Sequence, residues 1–290
     1  MIRVGVAGWD YPDWNGVVYP TAVSRRFDRL AHVARLVDVI EINSTFYRPA
    51  APATAAAWLA RTLDLPDFRF AAKVHRSWTH EPYADLDQAV RDTLAGLRPL
   101  HEAGRLIALL VQFPQSFRYS ESSLARLEAL APLLEGWPWV VEVRHASWES
   151  EAAERWFARR GVGWCAVDQP RAGSAQARLV PRVTAPIAYL RLHGRNATDW
   201  FRPDAGRDAR YDYLYTRAQV EELAAIAQRM AERAESLVVV QNNHFRGQAV
   251  ANALQMKHLL GGPRPLAPHA LVAAFPELAA DVRVERTRLF

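Results

Sequence analysis

Ionisable and amide side chains stand at the ends of several apolar runs in this 290-residue chain. In "VDVIEIN", "RFAAKVH" and "WVVEVRH" the polar residues come two positions apart, as Glu142 and Arg144 do. Because alternate residues of a strand project from one face, the members of each pair share a face. Carboxylates next to ammonium or imidazole groups are the usual proton donors and acceptors of enzymes. We therefore expect acid/base chemistry where these strands end.

The predicted catalytic residues are Glu142, His193, Lys73 and Asp168. Glu142 is the first candidate for a general base, with His193 or Lys73 as the paired acid, and Asp168 closes the run "GWCAVD". Lys73 is also a candidate for a Schiff base, if its neighbours lower its pKa. Developing enolate charge would be held by Arg144, Arg191 and Asn243.

A divalent metal is an open alternative, and the cofactor is otherwise unknown. Carboxylates from separate strands can hold Mg²⁺ or Mn²⁺, and imidazoles can hold Zn²⁺. The sequence contains no closed metal-binding motif. The candidate ligands are Glu41, His75, Glu142, Asp168 and His193.

Three loops are predicted to surround the site. "HGRN" and "NNHFRGQAVANA" place Arg195, Arg246 and Gly247 where they could cradle an anion, although an exposed arginine at a helix start explains them equally well. Residues 195–216, rich in aromatic side chains, suit a lid or a packed surface loop. The aromatic side chains of "GWDYPDWNGVVYP" suit stacking on a sugar or base. They equally suit a plug that fills the top of the barrel predicted below. The predicted substrate-binding residues are Trp9, Tyr11, Glu41, Asn43, Tyr47, His75, Arg144, Arg191, Arg195, Gln241, Asn243, His244, Arg246 and Gly247.

Eight short β-branched runs alternate with stretches of helical spacing, which predicts an α/β fold with a parallel sheet. The eight runs and the chain length favour a single TIM-type (β/α)8 barrel over residues 1–261. A doubly wound open sheet is less favoured, because neither G-x-G-x-x-G nor a Walker loop is present. Residues 169–186 contain no clear helix and predict one irregular crossover, and residues 262–290 predict a short tail packed on the barrel.

The formal net charge of +5 permits anionic ligands, but no Lys/Arg-rich tract indicates nucleic acid. The sequence has no apolar run of about 18 residues and no signal-peptide pattern, so we expect a cytoplasmic protein without membrane contact. The single Cys165 excludes an internal disulfide. The sequence does not indicate an oligomeric state.

Several motifs together resemble the YecE-like family, also called domain of unknown function 72. They are "GWDYPDWNGVVYP", "EINSTFYRPA", "FAAKVHRSWTH", "EVRHASW", "YLRLHGRN" and "NNHFRGQAVANALQMKHLL". The resemblance implies a TIM barrel with a remote relation to sugar isomerases of the xylose isomerase type, and it brings no established catalytic residues. Gln241 stands where the family pattern leads us to expect an aromatic residue.

These observations favour an enzyme that acts on a small polar substrate, a sugar or sugar phosphate, by proton transfer next to a carbonyl or by metal-assisted isomerisation. A metal-dependent phosphodiesterase or nuclease is one alternative. A non-catalytic barrel that binds a nucleotide or RNA is the other.

Overall fold

Eight parallel strands close into a barrel in a computed structural model, which describes residues 1–81, 85–171, 173–202 and 204–285. Each strand pairs with the strand that follows it in the chain, and the eighth pairs with the first. The predicted single-domain TIM-type barrel is therefore confirmed. The strands are β1 (Ile2–Ala7), β2 (Val39–Ile42), β3 (Arg69–Lys73), β4 (Leu106–Gln112), β5 (Trp139–Glu142), β6 (Gly163–Asp168), β7 (Ile187–Leu192) and β8 (Ser236–Gln241).

Helices cover the outside of the barrel and follow most of the strands. Two of the helices have clear caps: Thr216 and Gln219 form a capping box, and Gly161 ends a helix at φ 61°. The helices are α1 (Arg29–Ala34), α2 (Pro52–Ala60), α3 (Leu86–Glu102), α4 (Glu121–Leu130), α5 (Glu151–Arg160), α6 (Ala197–Trp200), α7 (Arg207–Arg210), α8 (Arg217–Ala231), α9 (Gln248–Leu259) and α10 (His269–Ala274). Among the described residues, none of these helices is long and apolar enough to cross a membrane.

The chain between β6 and β7 is irregular, as predicted, with no helix among the residues described there. Arg182 fixes this crossover, because its guanidinium donates to the carbonyl oxygens of Trp148 and Glu149 at 3.1 and 2.8 Å. Thr184 adds a hydrogen bond to the Val162 carbonyl. Hydrogen bonds from side chains thus replace a packed helix on this side of the barrel.

The tail after residue 261 packs on the outside of the barrel. It contains α10, a 3-10 helix (Pro276–Ala280) and two short paired strands, β9 (Leu266–Ala267) and β10 (Arg283–Val284). Leu271 and Leu278 are buried, and the fully buried Asp281 forms an ion pair with Arg217 of α8. Residues 286–290 of the predicted tail lie outside the described part of the chain.

The barrel has two apolar layers, one inside the strands and one between the strands and the helices. The layer to which a residue belongs shows whether its side chain faces inward. The interior layer contains Ala71 of β3, Val140 of β5 and Tyr189 of β7. Since side chains alternate along a strand, Lys73, Glu142 and Arg191 share the inward direction. The structure therefore places these three predicted site residues on the inner face of the barrel.

Gln241 and Asn243, at the end of β8, are predicted to bind substrate, but the opposite face of this strand points inward. Val238 and Val240 belong to the interior layer, whereas Val239 packs in the layer beneath the helices. Asn242 consequently continues the inward series, and Gln241 and Asn243 lie on the other side. The four residues Leu237–Val240 are all apolar, so hydrophobicity could not distinguish the two faces.

Candidate active site

An ion-pair network lies at the carboxyl ends of the strands, where the active sites of this fold occur. Arg191 of β7 bridges two carboxylates: its Nη2 donates to Glu41 Oε1 at 2.7 Å, and its Nη1 donates to Glu142 Oε2. Tyr189 donates its hydroxyl to the other oxygen of Glu41 at 2.9 Å. All four side chains are almost completely buried. Three separate strands are thereby joined through one guanidinium.

The second oxygen of Glu142 accepts a hydrogen bond from Arg144 Nε at 2.6 Å. Each of its oxygens therefore faces a guanidinium. Burial raises the pKa of Glu142, but Arg144 and Arg191 lower it by more, so its pKa lies well below the ordinary value. A carboxylate held in this way is a weak general base. The role predicted for Glu142 has little support in this geometry.

His193 lies in the same layer and is fully buried. Its Nδ1 lies 2.8 Å from Asn242 Nδ2, and its Nε2 lies 3.3 Å from Arg144 Nη2. Burial, together with the two nearby arginines, lowers the pKa of His193 to about 3, despite the opposing effect of Glu142. The imidazole is therefore neutral at physiological pH.

Lys73 differs from the other charged groups of the site. Its Nζ lies 3.6 Å from the centroid of the Phe46 ring and makes no hydrogen bond or ion pair with any residue that the structure describes. Burial lowers its pKa, and the positive charges of Arg191 and Arg144 lower it further, to about 7. A substantial fraction of this amine is uncharged at neutral pH.

A cavity of about 170 Å³ opens above the network. Lys73, Arg144 and Arg191 form its charged floor, and the Nε of Arg191 has no hydrogen-bond partner among the described residues. The remaining lining is polar and aromatic. It consists of Tyr11, Asn43, Phe46, Tyr47, Gln112, Tyr211, Asn242 and His244.

Three loops, those after β1, β7 and β8, cover the cavity. Tyr11 stacks on His244 at a ring separation of 4.5 Å, and Tyr211 approaches the same imidazole at 5.1 Å. Trp200 packs against both His193 and Tyr211. Residues of the segment 195–216 thus form part of the roof, in the position expected of a lid.

Other predicted site residues lie apart from the cavity. Asp168 projects to the outer side of β6, where it accepts hydrogen bonds from Tyr215 at 2.6 Å and Arg195 at 2.9 Å. The inward residues of that strand are Cys165 and Val167. The prediction of Asp168 as a catalytic residue is therefore wrong, because its side chain does not face the cavity. Arg195 forms an ion pair with Asp168.

Three more predicted residues have local structural contacts. His75 caps a 3-10 turn through Ser77, and Trp9 packs edge-on against Trp58. Asn243 donates to the Tyr213 carbonyl. None of the three lines the cavity.

The loop after β8 packs tightly against the first loop of the barrel. The backbone N–H of Arg246 donates to Asp13, and a Cβ added at Gly247 would lie 2.9 Å from a Val18 methyl carbon. Gln241 is fully buried, and neither polar atom of its side chain has a described partner. Neither Arg246, Gly247 nor Gln241 lines the cavity.

The predicted metal ligands do not converge. Within the described ranges, no three His, Cys, Asp or Glu side chains are close enough to hold one ion. Glu41 and Glu142 are neutralised by arginine, and Asp168 lies on the other side of its strand. The donor set therefore does not fit a divalent metal site.

Asn242 and Phe46 line the cavity but are absent from the predicted site. Asn242 lies two positions after Val240 and therefore faces inward as Val240 does. The sequence did not show this, because the residues of β8 are apolar on both faces. Phe46 lies in a 3-10 turn, Ser44–Phe46, whose geometry strand periodicity does not describe.

The fold and the site define a TIM-type barrel protein with a charged cavity at the carboxyl ends of its strands. The chain belongs to the DUF72 family: residues 3–273 match the family described as "Protein of unknown function DUF72". The resemblance noted in the sequence is thereby confirmed.

Known relatives match between 56% and 90% of this chain. The UPF0759 protein YunF of Bacillus subtilis is 26% identical over 90% of this chain and 95% of its own. YecE of Escherichia coli K12 is 29% identical over 56% of this chain and 55% of its own. A DUF72 family crystal structure from Thermotoga maritima is 33% identical, with a TM-score of 0.80 over 90% of this chain and 99% of its own.

Proposed function

We propose that this protein is an enzyme that binds a small anionic substrate, of the sugar-acid or sugar-phosphate type, and moves a proton with Lys73. One observation carries the proposal. The amine of Lys73 lies at the floor of a cavity without a carboxylate partner among the described residues, and its pKa of about 7 lets it both accept and donate a proton near neutral pH.

The charges of the floor support an anionic substrate. Glu41 and Glu142 are matched by Arg191 and Arg144, so any positive charge on Lys73 is in excess. The cavity, at about 170 Å³, is smaller than the roughly 300–1,000 Å³ typical of drug-sized ligands. A substrate of few atoms with a carboxylate or phosphate group suits both properties.

The arrangement also supports a division of roles. The uncharged Lys73 takes a proton from the carbon next to a carbonyl, and the guanidinium of Arg144, which lines the cavity, stabilises the oxygen of the resulting enolate. Glu142 holds both guanidinium groups in place rather than acting as the base. The neutral His193 fixes Arg144 from the opposite side.

The alternatives have less support. A metal-dependent phosphodiesterase or nuclease needs a cluster of donors that the described residues lack. A barrel that binds nucleotide or RNA without turnover needs no proton-transfer group. This alternative therefore does not explain the lowered pKa of Lys73.

Deuterium exchange tests the proposal even while the product of the reaction is unidentified. The protein is incubated in D2O with sugar phosphates and sugar acids, and loss of the proton next to the carbonyl is followed by NMR. We expect exchange in at least one compound for the wild type and Lys257→Met, and none for Lys73→Met. Exchange that survives in Lys73→Met would remove Lys73 from its role, and thermal stabilisation by a ligand without any exchange would favour the binding barrel.

A further inference from the structure

Lysine is rare in this chain. Of its 36 Lys and Arg residues, only Lys73 and Lys257 are lysines. Lys257 lies on the outside of the barrel, where its Nζ donates to Asp38 at 2.7 Å and to the Leu36 carbonyl at 3.4 Å. Lys73 lines the cavity, and the other two basic side chains of the cavity floor are arginines.

Arginine would serve as well as lysine for attracting an anion, since its guanidinium is always charged and donates five hydrogen bonds. An uncharged lysine amine has a lone pair that can bond to carbon, which a guanidinium does not offer. The cavity already contains two arginines for holding oxygen atoms. A lysine beside them therefore indicates chemistry at nitrogen.

We propose that Lys73 forms a covalent Schiff base with an aldehyde or keto group of the substrate. This inference rests on the proposed function and specifies its substrate as a small anionic carbonyl compound. It changes the role of Lys73 from base to nucleophile: the iminium makes the neighbouring C–H more acidic, so proton exchange depends on Lys73 in either role. The Nζ lone pair attacks the carbonyl carbon, and one N–H proton passes to the oxygen to give a carbinolamine. A proton taken up from the solvent then lets that hydroxyl leave as water. A protonated imine remains, with no oxidation or reduction of either partner.

The surroundings of Lys73 suit each stage. No described carboxylate pairs with the amine, so its lone pair is available once the proton leaves. The guanidinium of Arg144 lines the same cavity and can donate to the carbonyl oxygen as negative charge develops there. The Phe46 ring lies against Nζ at 3.6 Å and favours a positively charged nitrogen, whether ammonium or iminium.

The scarcity of lysine makes reductive trapping unusually clean. The chain has three primary amines: Lys73, Lys257 and the amino group of Met1, which donates to the Glu235 carbonyl. The protein is incubated at pH 7 with glyoxylate or glycolaldehyde and sodium cyanoborohydride, and the modified amine is located by peptide mass spectrometry. Glyoxylate carries the negative charge that the cavity favours, and glycolaldehyde is its neutral counterpart.

We expect Lys73 to be modified at least about tenfold faster than Lys257. The pKa of Lys73, about 7, leaves much of its amine uncharged at pH 7, whereas Lys257 is held in an ion pair with Asp38. Glyoxylate should react at Lys73 faster than glycolaldehyde does. Lys257→Arg should leave this modification unchanged, and Lys73→Arg should abolish the fast phase while the fold, checked by circular dichroism, persists.

Modification of Lys73 no faster than that of Lys257 would overturn the Schiff base. If deuterium exchange still depends on Lys73 in that case, the proposed proton transfer stands without a covalent step. If neither trapping nor exchange involves Lys73, the proposed function fails as well.

Discussion

Arg191 Nη2 lies 2.7 Å from Glu41 Oε1, and these two charged groups are held in the barrel interior at almost complete burial. The other Nη of Arg191 donates to Glu142. A single guanidinium therefore neutralises two carboxylates, and it also lies close enough to Lys73 to lower the pKa of that amine. Stability and reactivity of the site depend on the same residue.

Arg191→Met should destabilise the protein by about 3–5 kcal/mol, because Glu41 and Glu142 would remain buried without their shared partner. Chemical denaturation measures this loss. The matched control is Arg155→Met, which removes an exposed pair with Glu151 and should cost less than about 0.5 kcal/mol. Equal effects of the two substitutions would show that the buried network adds no more stability than a surface pair.

Arg144→Met should raise the pKa of Lys73. The substitution removes one of the positive charges that oppose protonation of the amine, and it leaves Glu142 less neutralised. The midpoint of the pH profile for cyanoborohydride modification of Lys73 should therefore move upward from about 7. An unchanged midpoint would mean that the charge of Arg144 does not contribute to the lowered pKa of Lys73.

Glu142→Gln should move the same midpoint downward, since the negative charge of Glu142 favours the protonated form of Lys73. The two substitutions thus shift one measured quantity in opposite directions. An upward shift in Glu142→Gln would contradict the electrostatic account of the site.

The fold could be predicted from the sequence because strand and helix periods alternate along most of the chain. Which residues of β3, β5 and β7 face inward could also be predicted, because polar residues interrupt only one face of each strand. The parity of β8 could not, since Leu237–Val240 are apolar on both faces. The outward direction of Asp168 was hidden for a similar reason, because Ala166 and Val167 precede it with no difference in polarity.

The chemistry of the site was harder to predict than its place. Glu142 and Lys73 both stand at strand ends, and the sequence does not say which of them has a charged partner. That depends on Arg191, which lies 118 positions after Lys73 and 49 after Glu142 and reaches one of them only through closure of the barrel. Because of this long-range pairing, the carboxylate of Glu142 has a charged partner and the amine of Lys73 has none among the residues that the structure describes.

Stability should fall as the pH drops below about 6. The pKa of His193 is about 3 in the folded protein, against 6.5 in the unfolded chain. Between these values the unfolded chain binds a proton that the folded protein does not, so the free energy of unfolding decreases by up to about 1.4 kcal/mol per pH unit as the pH falls. Glu142, whose pKa is lowered, adds to the loss below its ordinary value of 4.5.

The His193 contribution is measured by urea denaturation from pH 7 to pH 5, which lies above the titration of Glu142. His193→Gln should show a flatter dependence on pH than the wild type, whereas His269→Gln, at an exposed position, should retain the wild-type slope. A wild-type slope in His193→Gln would assign the acid sensitivity to other groups.

Removal of divalent metal should have no effect. Because the described donors do not form a cluster of three, a chelator should change neither the melting temperature nor the rate of Lys73 modification. Stoichiometric metal in the purified protein, with loss of stability on chelation, would contradict the arginine-neutralised arrangement of Glu41 and Glu142.

The central claim is that Lys73 is an uncharged amine for a substantial part of the time at neutral pH. Protein labelled with ¹³Cε-lysine gives only two lysine signals, and their chemical shifts can be followed by NMR from pH 5 to pH 11. We predict one signal that titrates with a midpoint at about pH 7 and disappears in Lys73→Arg. A Lys73 signal whose titration midpoint lies at about pH 10, the ordinary range of lysine, would contradict the account.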